Sequence, residues 1–203
     1  MPATDALTFY TGDISENNMY KLMIGSVVPR PIAWVSSISK DGILNLAPFS
    51  FFTVASRNPP TLMLSIGPGV EARKGTEKDT LTNIRDVGKY VINMVSAPLG
   101  EEMVRSSASV ERHCNEFELA GVTPRDSQTS VIPAVLEAPI AFELSLDRII
   151  PVGTDHLVLG KVNCVHINPR VYAGDFKIDI DAWRPLASLA GNFAEITPVF
   201  SLG

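Results

Sequence analysis

Between residues 31 and 66, three runs rich in β-branched and aromatic side chains follow one another: 31–39 (PIAWVSSIS), 45–55 (NLAPFSFFTVA) and 61–66 (TLMLSI). Lys40-Asp41-Gly42 reads as a hairpin turn and Asn58-Pro59-Pro60 as a breaker. Strands joined this closely run antiparallel, because a parallel return needs a crossover of a dozen or more residues. Two longer strands are expected at 140–149 and 157–167, separated by a turn containing Pro151 and Gly153. Strands outnumber helices and come in runs, which favours a closed or sandwiched antiparallel sheet over a doubly wound parallel one.

Helices are expected at three places. Residues 17–28 carry Met19, Leu22 and Met23 at helical spacing, with Ser15 as an imperfect cap and Pro29 as the stop. Residues 81–90 place Leu81, Ile84 and Val87 on one face, capped by Asp79 or Thr80, and lead into a strand at 91–95. Residues 98–110 read as a further helix. No repeat or long linker interrupts the chain, and 203 residues suit one domain with a sizeable core.

A net charge of -5 without any Lys/Arg cluster argues against a nucleic-acid groove, since neutralising phosphates needs several basic groups on one face. No run approaches the roughly 18 apolar residues of a membrane span, and no secretory signal is visible. Cys114 and Cys164 lie in neither a CxxC nor a metal-type spacing and read as reduced thiols, so a cytoplasmic location is expected. A hydrophobic fraction of 45% also hints at surface closed by a partner subunit, although a large core alone gives the same composition.

The familiar catalytic signatures are missing: there is no GxSxG elbow, HExxH, Walker loop or GxGxxG after a strand. His113, His156 and His166 stand on separate segments without ligand spacing, and no metal site is expected. Chemistry without a side-chain constellation is the usual situation when a cofactor carries it. Two segments fit that role. Read as one strand, LAPFSFFTVAS (46–56) puts Phe49, Phe51 and Thr53 on one face and Ser50 and Phe52 on the other; an ordinary barrel-core strand has the same pattern. Pro48 suits an edge or a bulge, where backbone N–H groups are free for a ligand. In 73–80 (RKGTEKDT), Lys78 and Thr80 beside the free amides of a helix start form a phosphate cradle, the competing reading being a solvated cap.

Eight motifs occur in order over about four fifths of the chain: PRPIAWVSS (29–37), Asp41-Gly42, NLAPFSFF (45–52), NPPTLMLSIG (58–67), KDTLTNI (78–84), YVINMV (90–95), GTDHLVLGKV (153–162) and RPLASLAGNF (184–193). With them the chain resembles the flavin reductase-like family of FMN-binding split barrels. The resemblance implies a mainly β fold, an antiparallel Greek-key split β-barrel with peripheral helices. It implies an FMN ring along Ala47, Pro48, Phe49, Ser50 and Phe51, a ribityl phosphate at Lys78, Asp79 and Thr80, and a pocket completed by Trp34, Ser36 and Ser65. His156 is the implied catalytic residue, close to a nicotinamide. The implied reaction is hydride transfer from NAD(P)H to flavin and on to an acceptor such as a partner oxygenase; an FMN-binding electron carrier reduced by another redox protein is the competing class. A homodimer is implied as well, with the segment carrying Trp183 and Phe193 crossing to the partner. One departure stands out: relatives usually carry Arg in a closing PLxRLGG segment, where this chain has Ser188.

Overall fold

The computed structural model describes residues 6–197 and 200. In chain order the elements are α1 (Glu16–Ser26), β1 (Arg30–Pro31), β2 (Ala33–Ile38), β3 (Leu44–Phe49), β4 (Phe52–Arg57), β5 (Pro60–Ile66), α2 (Asp79–Val87), β6 (Lys89–Met94), α3 (Gly100–Arg105) and α4 (Glu116–Ala120). The short β7 (Pro124–Arg125) and β8 (Ala134–Val135) precede the long hairpin of β9 (Ile140–Val152) and β10 (Asp155–Ile167). The short pair β11 (Tyr172–Gly174) and β12 (Lys177–Ile178), α5 (Ile180–Trp183), β13 (Leu186–Leu189) and β14 (Asn192–Glu195) complete the order.

Seven strands form one antiparallel sheet in the order β3-β2-β6-β9-β10-β5-β4. β3 and β4 stand at opposite ends of that order, yet only Ser50 and Phe51 separate them in the chain. Three Cα steps of 3.8 Å hold Phe49 within about 11 Å of Phe52, so the sheet curls until its two ends meet. The result is the mainly β antiparallel barrel, with helices outside it, that the sequence led us to expect.

The run at 45–55 is therefore two strands, not one. Alternation restarts at the break: Phe49 is buried and Phe52 packs against the same inner core, while Phe51 is exposed. Pro48 is tolerated because β3, an end strand, pairs only with β2.

Inside the barrel, Val35, Leu64, Tyr90, Ile92, Leu144 and Val158 are buried together. Outside it, Trp34, Leu46, Met103 and Phe117 form a second core against α3 and α4. Both faces of β2 are thus covered.

Several boundaries differ from expectation. α1 forms, and Ser15 caps it by accepting from the Asn18 N–H at 3.3 Å, but none of its residues is buried. The helix expected at 98–110 stops at Arg105, leaving 106–110 as a loop. α2 is entered through Lys78, whose side chain makes no capping bond, so neither Asp79 nor Thr80 is the cap. Pro151 lies in β9, and the turn narrows to Gly153-Thr154. β13 pairs with β1 of its own chain, and Trp183 packs against its own barrel core. Among the described residues no helix is long and apolar enough to cross a membrane.

Candidate functional site

Two adjoining grooves follow the end strand β3. The first, about 600 Å³ counting space open to solvent, is walled by Asn45, Ala47 and Pro48, by residues 76–80, and by the loop 106–110. The second, about 440 Å³, is lined by Pro48, Phe49 and Ser50 with Val104, Ser188 and Phe193. Pro48 and Ser107 border both, which makes them one continuous depression in the size range of small-molecule sites.

Lys78 joins the two halves. Its ammonium lies 5.8 Å from the centre of the Phe49 ring, and among the described residues no carboxylate pairs with it. Burial, with Arg73 nearby, pulls its pKa below the usual lysine value. An anion at this place would relieve both costs.

The neighbouring charges are already committed. Asp79 receives two hydrogen bonds from Arg73, at 2.5 and 3.0 Å, with Arg112 at 3.8 Å; the Asp79 hydrogen bond raises the Arg73 pKa. Asp79 therefore holds Arg73 at the groove wall and brings no donor of its own. The Thr80 hydroxyl donates to Asn45 Oδ1 at 2.8 Å, so its proton is used internally. Asn45 in turn donates to Glu116, which also accepts from the Leu46 N–H. Burial outweighs those two bonds and lifts the Glu116 pKa to about 7.

Ala47, Pro48, Phe49, Ser50, Lys78, Asp79 and Thr80 thus come together along the depression, with Phe51 exposed beside it. Four other expected residues do not. Trp34 and Ser36 are fully buried under the outer core, Trp34 donating to Ser106 Oγ at 2.8 Å and Ser36 accepting from Asn93 at 2.8 Å. Trp34 supports the loop from behind. Ser65 points away from the inward Leu64 and Ile66 and donates to Asp155, and it lines neither groove. His156 pairs with Ile66, and it too lines neither groove.

The loop 106–110 is the wall that sequence reading missed; its Ser-Ser-Ala-Ser run, poor in helix formers, was the available signal. His166 is not solitary either, since Glu143, Cys164 and His166 place donor atoms within 4.8 Å of one another. Glu143 is saturated there, accepting from Gln128 N, Thr129 N, Thr129 Oγ1 and His166 Nε2. We assign that cluster to pinning the 128–129 loop.

The fold defines the class: an antiparallel split β-barrel with peripheral helices and a groove along its end strand. The chain belongs to the flavin reductase-like family, whose model, the flavin reductase like domain, matches residues 24–196. It is 37% identical over 187 residues to an uncharacterized protein of Aquifex aeolicus, covering 92% of this chain and 94% of that one. Among solved structures it is similar to nitrilotriacetate monooxygenase component B from Bacillus cereus, at 31% identity and TM-score 0.93 over 98% of this chain and 100% of that one. It is also similar to the 2-nitrobenzoate 2-nitroreductase NbaA of Pseudomonas fluorescens, at 28% identity and TM-score 0.87 over 97% and 95%.

Proposed function

We propose that this chain is a cytoplasmic FMN-dependent oxidoreductase, taking a hydride from NAD(P)H onto bound flavin and passing the electrons to an acceptor such as a partner oxygenase. One observation carries the choice of FMN: a half-buried lysine that pairs with no carboxylate among the described residues, within cation–π distance of the Phe49 ring beside the adjoining groove. That pairing suits a ligand that is an anion at one end and a flat ring at the other. FMN bound there supplies the hydride-accepting ring. Lys78 would hold the phosphate, while Phe49 and the Ser50 turn would orient the ring. Orientation of two stacked reactants removes most of the entropy barrier of their encounter. His156 lines neither groove, and its part in meeting the nicotinamide rests on the family resemblance alone.

The second copy belongs to the same reading. Tyr20, Leu22 and Met23 on α1, together with Phe9 and Tyr10, leave apolar surface exposed among the described residues.

The test is direct. Purified protein is expected to bind FMN, and stopped-flow mixing with NADH or NADPH to bleach the flavin absorbance rapidly. A protein that binds FMN but stays yellow with both nucleotides is an electron carrier, and the reductase reading falls.

A further inference from the structure

Arg30 is 7% exposed, and its guanidinium donates to four groups. These are Ile24 O at 2.5 Å and Val27 O at 2.9 Å at the end of α1, Ser188 Oγ at 3.1 Å on β13, and Ser50 Oγ at 3.5 Å between β3 and β4. The Phe51 ring lies 5.9 Å away. None of these partners is an anion, and among the described residues no carboxylate forms an ion pair with it. A guanidinium stays charged, and a buried charge without a counter-ion is costly. Ser50 and Ser188 both line the ring groove, so a fixed positive charge stands directly behind its wall.

We propose that Arg30 makes this groove bind reduced FMN more tightly than oxidised FMN, and so raises the reduction potential of the bound flavin. The inference rests on the flavin reading above and deepens it. Reduction adds negative charge to the ring, and a positive charge already fixed in place stabilises it without reorganising. The neutral oxidised ring gains little from the same charge. Arg30 is a positioning residue as well, since it holds the Ser50 and Ser188 hydroxyls and anchors α1. A purely structural clamp, however, would affect both redox forms alike.

Wild type and the variants Arg30→Lys, Arg30→Gln and Arg30→Met are titrated anaerobically with oxidised and with chemically reduced FMN. The neutral variants are expected to lose at least about tenfold more affinity for the reduced form than for the oxidised one. Tenfold corresponds to a fall of about 30 mV in a two-electron potential. Arg30→Lys should keep most of the wild-type preference. Equal losses for both forms, or no loss in either, overturn the proposal. Two neutral variants of different polarity are included so that one failure to fold leaves the other to decide. Wild type that binds neither form sinks the flavin reading itself, an outcome distinct from normal binding with an unaltered redox preference.

Discussion

Lys78 and Glu116 face the same groove with opposite needs. A charge-assisted hydrogen bond to phosphate contributes about 1.5–3 kcal/mol, so Lys78→Ala is expected to weaken FMN binding by about ten- to a hundredfold, at roughly 1.4 kcal/mol per tenfold. Fluorescence titration reads this, and an unchanged dissociation constant removes Lys78 from the site. Glu116 brings a pH dependence. Its pKa rises from 4.5 to about 7 on folding, chiefly because it is desolvated, with the charge of Asp79 adding to the effect. Between those values the folded state holds the proton more tightly than the unfolded one, so stability falls as pH rises from 4.5 to about 7 and then levels. At 1.36 kcal/mol per unit the effect is on the order of 3 kcal/mol at most. Glu116→Gln should flatten the curve of unfolding free energy against pH; a slope equal to wild type would assign the dependence elsewhere.

At the level of elements, β10 approaches Tyr90 on β6 so closely at Gly160 that a Cβ there would meet Tyr90 Oη at 2.1 Å and Leu144 Cδ2 at 3.0 Å. Gly160→Ala is expected to destabilise by roughly 1–3 kcal/mol, read as a lower midpoint in urea. Stability equal to wild type would mean that the Tyr90 ring moves aside freely. The strands were legible in the sequence where β-branched residues alternate between recognisable turns, as in β2, β5 and the β9–β10 hairpin. The break at Ser50-Phe51 was not, because Pro-Phe-Ser-Phe-Phe reads as unbroken strand and the corner is set by the meeting of distant sheet ends. α4 was missed for a related reason: five residues capped by Asn115 give no periodicity, and burial of Phe117 in the outer core with Trp34 and Leu46 adds the stability that so short a helix lacks. For the site, both flanking motifs were readable while the third wall was not, since residues 106–110 are held there by contacts distant in sequence, from Trp34 to Ser106, from Arg73 to Val110 O and from Ser109 to Val70 O.

For the whole molecule, α1 leaves Tyr20, Leu22 and Met23 between 40% and 51% exposed, an apolar stripe that a monomer would leave in water. Light scattering at micromolar concentration is expected to give about twice 22.0 kDa; a 22.0 kDa particle defeats the homodimer. A barrel whose seam lies between β3 and β4 has a further property. The turn that floors the ring groove is also the hinge across which the two sheet ends face each other. A flat molecule lodged against Ser50 would act as a stitch over an open hem, and amide exchange in both flanking strands should slow on adding FMN. Filling the groove and fastening the barrel are then a single event.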